Sequence, residues 1–276
     1  MSGLDLRPLS LGEILDRTFT LYRGHFVLFL GIVGIPHLLL LAVSLTQILM
    51  SNTNPLTPNT FSVTSAITGL ALVVASIAAY LFSQGGAILA VSQIYLGRPV
   101  SIAEALGRVW DHFGFLLGVV ILNGLAIMGA TILLVIPGIY VGCRLLVCVP
   151  VALVEEKSPR DSLSRSWQLT SGFAGRAFMI ALLYFCIAVA AGLLFSAPFT
   201  IGVFVNLKDP SVSRIWLVLN QIGSTIAEVI VSPILMIATS IFYYDLRVRK
   251  EAFDLQLLLD PSGPQPASPG SLPSIL

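Results

Sequence analysis

The chain has 276 residues, of which 56% are hydrophobic and 11% charged, with a mean hydropathy of +0.92 and a formal net charge of +1. A soluble globular chain carries about 25% charged residues, so the main solvent of this one is lipid rather than water. The near-zero net charge gives no pull toward nucleic acid or acidic substrates, and the informative property is where the charges sit.

In chain order, six segments are apolar over the ~20 residues that a membrane-crossing helix needs. They cover about residues 26–50, 62–95, 113–136, 138–154, 176–205 and 215–244. About 25 residues of mixed charge, including Asp5, Glu13 and Asp16, precede the first segment, without a small-x-small cleavage site, so this run is expected to stay in the mature chain. At ~1.5 Å per residue the second segment would reach ~50 Å. It must tilt, protrude or break, and Gly85-Gly86 is the expected break. Asn, Thr and Pro over 51–60 form a first outer loop, Pro137-Gly138 a tight turn between the third and fourth segments, and Lys208-Asp209-Pro210-Ser211 the last outer loop. Residues 246–259 are expected to extend the sixth span as a short cytoplasmic helix. The Pro/Ser/Gly-rich stretch 261–276 reads as a disordered cytoplasmic tail, leaving 1–260 as one all-α membrane domain.

The basic residues set an orientation. With the amino terminus inside, the inner face receives Arg7, Arg17, Arg23, Arg98, Arg108, Lys157, Arg160, Arg165, Arg176, Arg247, Arg249 and Lys250. The outer side receives Lys208 and Arg214, and Arg144 lies within a span. The positive-inside rule therefore puts both termini in the cytoplasm.

A repeat organises the spans. Ser, an acid at +3, Leu at +5, Arg at +7 and an aromatic at +9 occur as Ser10, Glu13, Leu15, Arg17, Phe19; as Ser101, Glu104, Leu106, Arg108, Trp110; and as Ser158, Asp161, Leu163, Arg165, Trp167. Ser followed by an acid three residues on starts a helix as a capping box, and Pro159 at a first helical position strengthens the third start. The acid and the Arg, four apart, suit an intrahelical ion pair. These stretches, about 10–24, 101–112 and 158–171, read as amphipathic helices lying on the inner leaflet, each followed by a transmembrane hairpin. Arg17, Arg108 and Arg165 are candidate contacts for lipid phosphates or a cytosolic partner, set against plain capping, ion pairing and snorkelling.

The run Arg7-Pro8-Leu9-Ser10-Leu11-Gly12-Glu13-Ile14-Leu15-Asp16-Arg17, leading into Leu21-Tyr22-Arg23, resembles the glycerophosphoryl diester phosphodiesterase membrane domain family. So do Ile136-Pro137-Gly138-Ile139-Tyr140 with Arg144 and Pro150, the Ser164-Arg165-Ser166-Trp167 helix, and the stretch from Tyr243-Tyr244-Asp245-Leu246-Arg247 to Asp254-Leu255. The resemblance covers residues 7–258. It implies a bacterial inner-membrane protein and only the membrane part of such phosphodiesterases, whose catalytic barrel is a separate soluble domain.

No catalytic constellation or metal site is readable. His25, His37 and His112 have no helical metal-ligand spacing with another His, Cys or carboxylate. Glu155-Glu156 with Arg160 matches the EExxxR string of CAAX-type intramembrane proteases, but no histidine follows residue 112 to complete that site. Neither a GxSxG elbow nor a phosphate-binding glycine loop is present. Cys143, Cys148 and Cys186 lie inside apolar runs and read as small buried side chains. Gly114-x-x-x-Gly118 and Gly138-x-x-x-Gly142 suggest close packing within the hairpin of the third and fourth spans, or an oligomer contact.

Two charges fall inside spans, Arg144 and Glu228, and such residues are functional candidates by default. They suit either an interhelical ion pair or, with Asn123, His37 and Gln84, a polar site for a lipid headgroup or small anion. Pro36, Pro150, Pro198 and Pro233 interrupt four spans, as in helices that build such sites. The expectation is a non-catalytic membrane anchor, scaffold or partner for envelope or lipid-related proteins, without a cofactor. The alternative is a carrier of lipids or small amphiphilic anions working through Arg144 and Glu228.

Overall fold

A computed structural model describes residues 8–50 and 63–251. The first outer loop, Arg7, the extension beyond Glu251 and the tail lie outside the described residues. Within them the chain is all-helical, in the order α1 (Leu11–Gly24), α2 (Phe26–Met50), α3 (Val63–Tyr95), α4 (Ile102–Asp111), α5 (Phe113–Leu133), α6 (Val135–Arg144), α7 (Cys148–Glu155), α8 (Pro159–Leu169), α9 (Ala174–Phe195), α10 (Ala197–Val205) and α11 (Pro210–Glu251). Six stretches are long and apolar enough to cross a membrane: Phe26–Met50, Ala66–Tyr95, Phe113–Leu133, Val135–Glu155, Ala174–Phe195 and Pro210–Glu251. By length and composition this is a multi-pass membrane protein.

The three repeat segments each begin a short helix where the serine stands. Ser10 accepts from the Glu13 N–H while the Glu13 carboxylate accepts from the Ser10 N–H at 2.7 Å, a complete capping box. Ser101 and Ser158 accept from the N–H groups of Glu104 and Asp161. Capping and ion pairing compete for the same acid. Glu104 turns forward to Arg108 at 2.6 Å, whereas the Asp161 carboxylate accepts from the Ser158 hydroxyl at 2.6 Å. Arg165 therefore finds its acids elsewhere, and the Arg17 guanidinium reaches the Tyr95 hydroxyl. The short helices bury residues at one-turn spacings: Ile14, Thr18 and Tyr22 on α1, Ala105 and Val109 on α4, Ser162, Ser166 and Leu169 on α8.

α2 packs on both α3 and α11, and α9 runs along α11. The core gathers there, with Phe29, Ile32, Ala87, Val91, Ile237, Ile241 and Phe242 sealed from solvent. Several expectations shift at this level. α3 is continuous through Gly85-Gly86. A Cβ on Gly85 would meet Val109 of α4 at 2.9 Å, and one on Gly86 would meet Ile32 of α2 at 2.7 Å, so the pair marks a close approach of three helices, not a break.

The turn between α5 and α6 falls at Leu134, which is extended (φ −164°, ψ 147°), and Pro137-Gly138 lies inside the first turn of α6. A first-turn N–H has no intrahelical acceptor, so proline loses nothing there. A side chain at Gly138 would run into Thr131 of α5. Of the two glycine pairs, Gly118 meets Pro159 of α8 at 3.2 Å, while Gly114 and Gly142 have open space. Span four is broken at 145–147 and span five at Ser196, with Pro150 and Pro198 in the first turns of α7 and α10. Pro36 and Pro233 sit within unbroken helices. Cys186 is exposed on α9, whereas Cys143 and Cys148 are buried.

A bulky side chain at Gly86 overpacks the α2–α3–α4 junction. Gly86→Leu is expected to destabilise by about 1–3 kcal/mol, read as a lower midpoint of denaturant-induced unfolding in detergent. Gly69→Ala, with nothing within 4 Å of its Cβ, is expected to leave that midpoint unchanged or slightly raised.

Candidate functional site

Polar side chains gather in two places, within the spans and at the end of the bundle where α11 finishes. Within the spans, His37 of α2 is buried, and its Nε2 lies 3.4 Å from Glu228 Oε1 of α11. Its Nδ1 lies 2.8 Å from the Val33 carbonyl and 3.3 Å from the Ser83 hydroxyl of α3. Gln84, beside Ser83, is buried, and Tyr184 of α9 is within electrostatic reach of Glu228. Counted along α11, Glu228 stands ~27 Å from the start of the helix. Its side chain is nonetheless 58% exposed, so His37 covers only one side of the carboxylate.

Arg144 goes to a different place. At the last residue of α6 its guanidinium donates to the Trp167 carbonyl at 2.6 Å and, at 3.3 Å, to the Tyr140 hydroxyl. The Trp167 ring centroid lies 4.4 Å from the guanidinium carbon. Nε has no partner, and among the described residues no carboxylate is paired with it. Glu228 is thus partnered by His37 instead of Arg144. Asn123 is half-buried on α5 with its Oδ1 unpartnered. Of the residues expected to form one polar site, the structure brings together His37 and Glu228.

The charged end of the bundle holds residues that the spacing alone did not single out. Glu155, at the close of α7, accepts from Arg165 Nε at 3.0 Å and from the Tyr243 hydroxyl at 3.1 Å. Arg165 continues to Glu251, Glu251 to Arg247 Nε at 3.0 Å, and Arg247 to the Tyr243 hydroxyl at 3.3 Å, which closes a ring across α7, α8 and α11. Burial opposes the charge on Arg165, but the hydrogen bond to Glu251 and the fields of Glu155 and Glu251 outweigh it and raise its pKa above the usual arginine range.

Beside the ring, the Asp245 side chain is fully sealed from solvent. It accepts from the Leu9 N–H at 2.7 Å and from Arg249 Nε at 2.9 Å, with Arg176 of α9 at 3.6 Å. Arg176 and Arg249 both donate to the Leu9 carbonyl. Arg108 remains on the outside of α4, and the neighbouring Trp110 is also exposed. His25 and His112 sit at the one-residue junctions between α1 and α2 and between α4 and α5. Among the described residues no three His, Cys, Asp or Glu side chains converge as a metal site would require. Glu155 is wholly engaged by Arg165, Lys157 and Tyr243. No family model, curated protein or solved structure matches the chain.

Neutralising the Asp245 carboxylate leaves three cationic or N–H donors short of an anion. Asp245→Asn is expected to destabilise by about 3–5 kcal/mol, the range for breaking a buried ion pair from one side. It should also loosen α1, seen as faster thiol labelling of a cysteine placed at Gly12, where a side chain meets nothing within 4 Å.

Proposed function

We propose that the chain is a non-catalytic bacterial inner-membrane protein that serves as an anchor or scaffold for envelope or lipid-related proteins, with both termini in the cytoplasm. In this reading the six spans form three hairpins, each led by a short helix on the inner leaflet. The resemblance to the glycerophosphoryl diester phosphodiesterase membrane domain supports the assignment to that membrane. The basic residues grouped at the charged end support the orientation. The observation that carries the scaffold reading is the joined ring and clamp at that end. They hold α1, α7, α8, α9 and α11 in one fixed surface. Arg108 and Trp110 on α4 offer exposed features for a partner beside it.

The carrier reading draws on a different observation, the partly exposed Glu228 carboxylate paired with His37 deep in α11. Charged groups at such depth mark ion or substrate pathways in many membrane proteins.

Two measurements test these readings. With native cysteines replaced, a cysteine at Ser211 is expected to react with a membrane-impermeant maleimide in spheroplasts and one at Ser164 to stay protected; the reverse pattern would overturn the orientation. A photo-crosslinker at Arg108 is expected to give a discrete protein adduct and one at Ser211 none. Purified protein in liposomes is expected to leave transbilayer movement of labelled lipid unchanged. Accelerated movement that Glu228→Gln abolishes would replace the scaffold with the carrier.

A further inference from the structure

Glu228 does not stand alone on α11. Gln221, Ser224, Glu228 and Ser232 are three or four residues apart and so share one face of the helix, a polar stripe within a span. Ile226, ~160° round the axis from Glu228, is an exposed apolar residue and marks the face turned to lipid. The stripe therefore turns inward, and its neighbours agree. His37 of α2 holds one oxygen of Glu228, and Tyr184 of α9 is within electrostatic reach. Ser83 of α3 stands behind His37, and Tyr80 of α3 is within reach of Tyr184. α5 packs on α3, α6 on α5 and α9 on α6, which closes the circle of helices around these groups.

A side chain on an inward face that is 58% exposed borders open space, and Tyr80 is 42% exposed. Among the described residues His37 is the one polar partner of Glu228, on Oε1, and Oε2 is left without one. One turn further on, the buried Ser232 hydroxyl also lacks a partner. Buried polar groups are normally satisfied, so unpartnered acceptors beside an inward void mark where a donor binds. With Arg144 placed elsewhere, the free charge here is negative and calls for a cation, not the amphiphilic anion that a pairing with Arg144 would suit. A hard metal ion takes about six or more oxygens, whereas here one carboxylate stands among hydroxyls and tyrosine rings. An ammonium group donates to carboxylates and hydroxyls and is drawn to aromatic faces. We infer that this pocket binds an organic ammonium ion, its charged nitrogen on Glu228 between His37 and Tyr184. Binding here is separate from the scaffold reading, whose test lies at Arg108.

Thiol chemistry on the stripe tests this. With the native cysteines replaced, Ser224→Cys puts a thiol one turn from Glu228, and the full chain is placed in phosphatidylcholine nanodiscs, where water meets both faces. The trimethylammonium form of a small methanethiosulfonate is expected to modify it about tenfold faster than the sulfonate form. Ile226→Cys is expected to react with neither. Hexylammonium is expected to slow the labelling at about a tenth of the concentration that hexanol needs. Glu228→Gln is expected to level the two labelling rates and to remove the advantage of hexylammonium. Equal rates for the two reagents overturn the inference, as does a preference that survives Glu228→Gln. Faster labelling at Ile226→Cys than at Ser224→Cys would overturn it by reversing the faces. Hexanol protecting as well as hexylammonium would overturn it too, and sodium ions doing so would give the pocket to an inorganic cation instead. If Glu228→Gln fails to assemble, hexylammonium against hexanol with Glu228 intact still decides.

Discussion

A carboxylate closed off from solvent is stable as an anion only when donors surround it. Asp245 meets that requirement with donors from three parts of the chain: the Leu9 N–H just before α1, Arg176 near the start of α9, and Arg249 one turn along α11. One side chain therefore sets the relative height of three helices, because a slide of α11 by a turn, ~5.4 Å, would strand the charge. The neighbouring ring does the same for α7 and α8. Glu155 reaches the Tyr243 hydroxyl on α11 and Arg165 on α8, and Arg165 returns to α11 at Glu251. Lipid gives helices no apolar driving force to associate, so polar closure at one end supplies much of the registry that burial supplies in a soluble core.

Within the spans the two charges are handled by different means. Glu228 has an imidazole beside it, and the position of that imidazole depends on the Val33 carbonyl and the Ser83 hydroxyl. Arg144 has two aromatic rings and a carbonyl, and its place is tied to the break in span four. Where α6 stops, the Arg144 carbonyl has lost its intrahelical donor, and the hydroxyls of Ser166 and Thr170 on α8 donate to it at 3.0 and 2.9 Å. The break, the charge and the docking of α8 are one local solution.

The parts of this architecture that are local in sequence were legible there. Apolar run length located six spans, and Ser with an acid at +3 located the starts of α1, α4 and α8 within a residue or two. What depends on tertiary context was not. Pro137-Gly138 carries a turn signal, but Leu134 turns the chain because proline is equally content in the first turn of α6. Gly85-Gly86 could mean a break or a close approach, and only the arrival of Ile32 and Val109 decides between them. Asp245 with Arg249, and Arg247 with Glu251, are four apart and readable as pairs. That Glu155, some 90 residues earlier, joins them follows from packing that no spacing encodes. Arg144 and Glu228 stand out in the sequence as charges within spans, of which only Arg144 is buried, and helix counting cannot tell which neighbour each one faces.

Broken spans are what gave the carrier alternative its appeal, since discontinuous helices line the sites of many transporters. A break that serves as a hinge needs freed backbone groups that can change partners. Here both breaks are stapled. At span four α8 closes the Arg144 carbonyl with two hydroxyls. At span five the Ser196 carbonyl, which already accepts the first backbone bonds of α10, also accepts from Asn220 Nδ2 of α11 at 3.0 Å, and the same amide reaches the Thr200 hydroxyl at 2.6 Å. Gly223 lets α11 lie directly on the Phe195 carbonyl, a contact that any side chain there would push apart. A rocking motion about either break would have to surrender these bonds in a medium that offers no replacement. The bends therefore act as fixed shape rather than joints, and that weighs toward a rigid scaffold over an alternating-access carrier.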